Sequence, residues 1–515
     1  MPWSQYAPPC GAARPSTRRR RNGEVIDLRD SVVDSYDNIE SARTAPAAPN
    51  RVAEAAAGAP AVRLSWWPLA VLFVLFFAMG LAIASTVEPS HRWFNWYLAV
   101  AWSLYAPLGV VGIIGAVHLH RRAGGRVPRS EFLATTDRKV IFVVPSLCRA
   151  DTANALRRVL DSIVEHAPRN LLHWRIDVVT EEGAEVELLN QLRRRPHVRV
   201  LVVPSDYETQ NCAKFKTRAN HYAMQGRRVR GENDAETYVY HLDDDTHIGI
   251  DTAASLAEFI ETHHDCHYLA QGTLSFPREL TSSRLAWYCD AIRPADDLTR
   301  FAFFTGKLGR PLGGLHGEHV IIRADIEDEI GWDYRDTVIE DAYFALEFAQ
   351  RYPGCATTLN SLCYGASPSS VSELVRQRRR WAEGLLRLVF KRSLPWRVKL
   401  PLFYSVLCWA LAPVQFMPLM VAVGAALRVP LLPPHSWILA IWSVGLSTLM
   451  WQYMQGVKVN MAASSDPQRT WWRAGLCIPG LYVFATIETC GAVLGMIRFL
   501  GIGRQQHSEV IAKPL

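Results

Sequence analysis

Five charge-poor apolar stretches, at residues 64–86, 96–118, 401–427, 437–456 and 472–500, bracket a polar middle. Each is long enough for an α-helix to cross the hydrocarbon of a bilayer, which takes about 20 residues. Core helices of soluble proteins rarely run that far without a charge. The pattern predicts a membrane protein with two spans before the polar middle (64–120) and about three after it (400–500). The last stretch carries Glu488, which must find a partner or a wet pocket if it lies at membrane depth.

Charge orients the chain. The leader, residues 1–63, is rich in Ala, Pro, Arg and acids and has no helical or strand period, so it is expected to be disordered. Its arginine run at 18–21 precedes the first span, and Arg121, Arg122, Arg126 and Arg129 follow the second, while the loop between them holds only Arg92. The positive-inside rule then puts the polar middle in the cytoplasm of a multi-pass protein of the cell membrane. Five spans leave the tail, 501–515, on the other side, against the sense of Arg498, Arg504 and Lys513. The ten cysteines include no Cys-x-x-Cys pair and read as reduced packing thiols. A net charge of +7 suits anionic partners such as lipid head groups and nucleotides without selecting one.

In the middle, short apolar runs alternate with helical periods. Strands are expected at 139–144, 174–179, 198–203 and 238–242, and helices at 152–166, 185–194 and 213–225. This rhythm implies an α/β domain with a largely parallel sheet. Such sheets bind ligands beyond the carboxyl ends of their strands. HLDDDT, at 241–246, leaves the fourth strand at such an end.

Asp243 and Asp245 flank Asp244, and alternate positions leaving a strand point the same way. Hard oxygen ligands on a short loop suit Mg²⁺ or Mn²⁺ shared with substrate phosphates. An Asp-rich strand end also turns a chain or caps a helix, and the residues alone leave both open. Glu340 and Asp341 are either reacting carboxylates or the acidic first turn of a helix. His316, Gly317 and Glu318 follow a glycine-rich turn that permits close approach to a ligand. Residues 374–399 mix basic residues with Trp and Leu, as suits helices lying in the head-group plane, and include QRRRW at 377–381. His263, Cys266 and His267 lack a standard zinc spacing and read as an exposed loop.

Taken in order, these motifs resemble a family 2 glycosyltransferase with the GT-A fold, a Rossmann-like α/β domain inserted between transmembrane helices, here over 131–373. HLDDDT resembles the Asp-x-Asp element, Thr180-Glu181-Glu182-Gly183 the acidic pair that contacts the base, and Lys216-Thr217-Arg218-Ala219-Asn220 the Lys-rich segment near the diphosphate. Ile339-Glu340-Asp341 resembles the dipeptide that holds the catalytic base, and QRRRW the Gln-x-x-Arg-Trp motif of membrane-embedded synthases. HLD before the acidic element, Phe215-Lys216-Thr217-Arg218-Ala219, and Leu315-His316-Gly317 are most similar to egghead-type β-mannosyltransferases. Cellulose and hyaluronan synthases share the other motifs.

The resemblance implies an inverting, metal-dependent hexosyltransferase that makes a β-linkage. Asp341 would be the base. Asp177, Glu181, Glu182, Lys216, Arg218, Asp243, Asp244, Gln377 and Arg380 would hold the donor. The acceptor would meet His316, Gly317, Glu318, Glu340 and Trp381, the last offering a flat apolar face, and Asp243 with Asp245 would hold Mg²⁺ or Mn²⁺. The acidic pair is Glu181-Glu182 where many synthases have aspartates, which shifts the base contact towards Asp177; Glu318 stands where a small residue is common. The implied partners are a sugar nucleotide (GDP-mannose first, UDP-hexose second), a lipid-linked or glycan acceptor and membrane lipid, with no nucleic acid. A processive polysaccharide synthase and an inactive nucleotide-sugar-binding scaffold are the alternatives. The sequence carries no signal for oligomeric state.

Overall fold

The computed structural model describes residues 63–86, 93–122 and 134–501, apart from breaks at 336, 413, 416, 430, 432–434, 436 and 465–469. The leader before residue 63, the arginines 92, 126 and 129, and the tail beyond 501 lie outside the described residues.

Eight strands form one sheet: β1 (Thr136–Pro145), β2 (Leu171–Glu181), β3 (Val198–Val203), β4 (Thr237–His241), β5 (His247–Ile248), β6 (Leu269–Ser275), β7 (Val320–Arg323) and β8 (Ala356–Tyr364). Their order is β3-β2-β1-β4-β7-β6-β8-β5. The apolar run expected as the first strand is the middle of β1, and Val140, Ile141, Phe142, Val143 and Val144 are all fully buried. A strand covered on both faces reads as a continuous apolar run, which is why it was legible. The first expected helix is Ala153–His166, and its buried face holds Leu156, Val159, Leu160 and Ile163.

The expected parallel sheet holds for β3, β2, β1 and β4 and stops there. β7 runs antiparallel to β4 and β6, β5 runs antiparallel to β8, and β6 and β8 are parallel. Where β7 pairs with β4, His241 faces Val320. The turn that precedes β7, carrying His316, Gly317 and Glu318, therefore lies at the end of the sheet from which Asp243 departs. An antiparallel neighbour is needed for this, since a parallel strand would start at the opposite end.

Among the described residues, three helices are long and apolar enough to cross a membrane: Trp67–Ser85, Asn95–Arg122 and Cys477–Phe499. They correspond to the first, second and last of the five expected stretches. The other two differ. The described helical residues of 401–427 belong to two shorter helices, Trp396–Ala410 and Met417–Ala426. The stretch at 437–456 lies within the helix Trp437–Ala462, which also carries Gln452, Gln455, Lys458 and Asn460 and is buried along most of its length.

The helices pack through glycines. A Cβ on Gly115 would stand 1.9 Å from the carbonyl oxygen of Thr299, in the π-helical segment Asp297–Lys307. One on Gly456 would stand 1.9 Å from that of Ala291, and one on Gly491 would meet the Arg378 Cβ at 2.4 Å. Small residues let helix backbones approach closely where lipid supplies no hydrophobic drive. The stretch expected to lie in the head-group plane is a helix, Val371–Val389, that packs against Cys477–Phe499. It ends before Pro395, after which Trp396–Ala410 begins. Arg378 does not face the head groups: it is fully buried between Asp290 at 2.6 Å and Glu488 at 2.7 Å. Glu488 thus has the partner its depth requires.

Gly115→Ala puts a methyl group where a carbonyl oxygen stands and forces the two backbones apart. The expected cost is about 1–3 kcal/mol, read as a lower thermal midpoint of the detergent-solubilised protein. An unchanged midpoint would show that the contact is not tight.

Candidate active site

One cavity of about 1050 Å³ runs from the carboxyl ends of β1, β2 and β4 to the helices Tyr105–Arg122, Trp396–Ala410 and Cys477–Phe499. Asp243 and Asp245 from one loop and Asp341 from a distant stretch all line it, as do Glu181, Lys216, Arg218, Asp244, Gln377, Arg380 and Trp381. His316, Gly317, Glu318 and Glu340 complete the set from the β7 turn and the start of the helix Glu340–Arg351.

Lys216 ties the acidic loop to the β7 turn. Its Nζ donates to Asp243 and, at 2.7 Å, to the Gly317 carbonyl oxygen. Burial alone would lower its pKa, but Asp243, Glu340 and Asp341 outweigh that and hold it charged. A Cβ at 317 would lie 2.6 Å from Lys216 Nζ and 3.4 Å from Asp341 Oδ2, so a side chain there would push the ammonium aside. Asp341 is displaced in the other direction. Burial and the neighbouring Glu340 raise its pKa to about 7, although Lys216 and the Ala342 N–H pull it down. A carboxylate poised near neutrality is suited to proton transfer.

Asp244 does a different job from its neighbours: it is buried and accepts from Ser146 Oγ at 2.7 Å, pinning the loop to the end of β1. Asp243 and Asp245 remain on the cavity side. Their carboxylate oxygens and that of Glu318 lie within 4.8 Å of one another. Three hard oxygen donors so arranged fit Mg²⁺ or Mn²⁺. Glu318, expected beside an acceptor, also accepts from Thr246 Oγ1 and from Arg293 at 2.7 Å.

Glu181 lines the cavity opposite Arg218, 3.3 Å away. Two other expected donor contacts are elsewhere. Asp177 is fully buried, held by Arg175 at 2.9 Å and by Arg199, and does not line the cavity. It lies in the body of β2, where its side chain has been drawn into an ion network with Glu232. Glu182 is exposed outside the lining and accepts from the Ser205 backbone N–H at 2.9 Å.

From the QRRRW helix, Arg380 reaches the cavity, and its Nε is buried with no hydrogen-bond partner among the described residues. Gln377 accepts from Arg378. The Trp381 ring, expected as an open face for a sugar, is shared with two guanidiniums: Arg378 at 4.5 Å and Arg293 at 5.4 Å from its centroid. Arg293, Asp290 and Asp297 had no sequence signal; they fall in an irregular helical stretch without motif or period. Asp297 orients His316, whose Nε2 lies 2.5 Å from its Oδ1. Outside the cavity, His263, Cys266 and His267 lie at the end of the helix Ile250–His263 and in the partly exposed turn after it, as expected, with their ligand atoms within 4.8 Å of one another. Arg122 stands 3.0 Å from His263 Nε2, and its charge opposes a cation there.

Residues 238–479, from β4 to the start of the last membrane helix, match the family model described as glycosyl transferase family group 2. The class follows: over these residues, a little under half of the chain, the protein is similar to family 2 glycosyltransferases, here on a mixed α/β sheet. Among named relatives, the chain is 27% identical over 277 residues to the β-1,4-mannosyltransferase egh of Drosophila melanogaster, covering 53% of this chain and 56% of that protein. It is 24% identical over 346 residues to the β-1,4-mannosyltransferase bre-3 of Caenorhabditis briggsae, covering 66% and 71%. The match thus spans little more than half of the Drosophila relative's length. A solved structure similar to it is the mannosyltransferase PcManGT of Pyrobaculum calidifontis in complex with GDP-Man and Mn²⁺, at 15% identity and a TM-score of 0.41, covering 78% of this chain and 100% of that one.

Gly317→Ala tests the Lys216 bridge. The clash falls on the far end of a flexible side chain, so stability should hardly change. The ammonium would leave Asp243, and affinity for a nucleoside diphosphate should fall about tenfold, the worth of a charged hydrogen bond. Calorimetric titration would read both; unaltered affinity would remove Lys216 from the donor site.

Proposed function

We propose that the protein is an inverting, membrane-embedded mannosyltransferase that transfers mannose from GDP-mannose to a lipid-linked or glycan acceptor, with its transferase domain on the cytoplasmic side. The observation that carries this reading is the meeting, in one cavity, of an acidic cation site, a carboxylate with its pKa near 7 and a basic helix that packs on a membrane-length helix. The choice of mannose follows the two relatives named as β-1,4-mannosyltransferases; the guanosine donor follows the resemblance of motifs.

Transfer of a sugar to a hydroxyl needs a base, because a free hydroxyl is a weak nucleophile. Asp341 takes the proton. The acceptor oxygen bonds to the anomeric carbon, and the bond to the diphosphate oxygen breaks with its electron pair leaving on the nucleotide. Direct displacement by one base predicts inversion, hence a β-linkage from an α-linked donor. Asp243 and Asp245, with Glu318 beside them, would hold Mg²⁺ or Mn²⁺, which when bound supplies Lewis-acid neutralisation of the diphosphate. Lys216 and Arg380 add positive charge on the same side. The planar guanidinium of Arg380 matches phosphate oxygens two at a time. Glu181 at the end of β2, with Arg218 of the helix Phe215–Val229 beside it, stands where the base of the nucleotide would enter.

Asp341→Asn keeps the shape and removes the base. Turnover of GDP-mannose with acceptor should fall by about 10²–10⁴-fold, while calorimetry shows nucleotide binding retained. Full turnover in this variant would end the assignment.

The raised pKa of Asp341 gives a second expectation. The base acts when ionised, so kcat/KM should rise with pH through a midpoint near 7 and flatten above it. The same shift has the opposite sign for stability. Between about pH 4, the ordinary aspartate range, and the folded-state value, the folded chain binds a proton that the unfolded chain does not, so stability falls as pH rises. A profile already flat from pH 5 upward would exclude Asp341 as the titrating base.

A further inference from the structure

The last membrane helix contributes a carboxylate to the cavity wall that no step above uses. Glu488 lies midway along Cys477–Phe499 and is 5% exposed. Its Oε2 accepts from Arg378 Nε at 2.7 Å. Its Oε1 is buried and has no hydrogen-bond partner among the described residues. Glu488 lines the cavity beside Trp381, Arg378, Arg293 and Tyr453. Asp290, the other carboxylate on Arg378, does not.

An acceptor oxygen buried without a donor is costly, and it is cheapest where a ligand supplies the missing hydrogen. The ligand's chemistry can be narrowed. A metal ion or ammonium at this point would face the guanidiniums of Arg378 and Arg293, both held in place by carboxylates. A second anion would meet Glu488 itself. A neutral hydroxyl avoids both penalties. Trp381 and Tyr453, which line the same cavity, supply apolar surface for the carbon face of a sugar.

We propose that Glu488 is an acceptor-recognition residue: its Oε1 takes a hydrogen bond from a hydroxyl of the hexose that receives the transferred sugar, and so helps the membrane helix select the acceptor. This rests on reading the cavity as a sugar-transfer site.

The test uses the full chain in lipid nanodiscs with GDP-mannose as donor. The acceptor probes are octyl glucoside, galactoside and mannoside and their monodeoxy analogues. E488Q should raise the KM for the preferred hexoside about tenfold or more, the worth of a hydrogen bond to a charged group, with nucleotide affinity unchanged. D290N touches the same arginine without facing the cavity and should move that KM less than about threefold. One monodeoxy analogue should be penalised by the wild type and no longer by E488Q, a coupling that a purely structural role of Glu488 would not produce. Should E488Q not assemble, E488D keeps the charge for Arg378 while withdrawing the oxygen, and the same loss is expected.

Equal KM shifts in E488Q and D290N, or identical deoxy penalties in wild type and E488Q, would overturn the inference, leaving Glu488 as support for Arg378. Turnover of GDP-mannose without transfer to any hexoside would also overturn it. Absence of any turnover in the wild type, with GDP-mannose or other sugar nucleotides, would instead bring down the proposed function beneath it.

Discussion

Arg378 is the fixed point of this structure. A guanidinium with no exposure cannot be left without counter-charges. Here they come from two directions, Asp290 from the transferase side and Glu488 from a membrane-length helix. The pairing holds the QRRRW helix against the membrane helix in one register, and glycines at 491 and 495 let the two backbones close on each other. Arg380 and Trp381 are placed by this contact, since they leave the same helix within a turn of Arg378. Without it, the basic clamp would have no defined position over the acidic loop.

The second constraint is electrostatic and local. Four acidic side chains, Asp243, Asp245, Glu340 and Asp341, crowd one end of the sheet, and Lys216 is the cation among them. Its ammonium stands on Asp243 and on the Gly317 carbonyl oxygen, leaving Asp341 as the carboxylate that retains a proton to about pH 7. Groups whose surroundings drive their pKa values apart can take different roles in one reaction. Gly317 matters to this balance, because a side chain there would displace the ammonium that holds the Asp341 pKa down against burial and Glu340.

The parts legible in the sequence were those whose pattern repeats the physics. Strand β1 is covered on both faces and reads as an unbroken apolar run; the helix after it shows its buried stripe at helical spacing. The acidic loop, the Lys216 segment and the QRRRW run were legible because chemistry restricts which residues can stand there. What was missed depends on contacts between distant segments. Asp177 looked available on a strand but is consumed by Arg175 and Arg199. Arg378 looked like one more basic residue of an interfacial face, though it is turned inward. Asp290 and Arg293 sit in a stretch of short helices with no period, and only the fold shows that Asp290 pairs with Arg378 while Arg293 reaches Trp381 and Glu318. The stretch at 437–456 belongs to a longer helix, Trp437–Ala462, and the polar Gln452, Gln455, Lys458 and Asn460 that its neighbours enclose showed no pattern in the sequence.

The antiparallel turn into β7 joins these layers. Had β7 followed the parallel rhythm of β1 to β4, the His316-Gly317-Glu318 turn would have begun at the far end of the sheet, away from the cation site. Reversal brings Glu318 to Asp243 and Asp245 on one side and to Arg293 on the other. Arg293 in turn stands over Trp381, and Arg378 joins Trp381 to Glu488. An unbroken sequence of buried charges and one indole therefore runs from the cation site to the membrane helix. Removing one of its charged members, Glu318, Arg293, Arg378 or Glu488, takes a counter-charge from a buried partner, and that cost ties the acidic loop to the membrane-length helix.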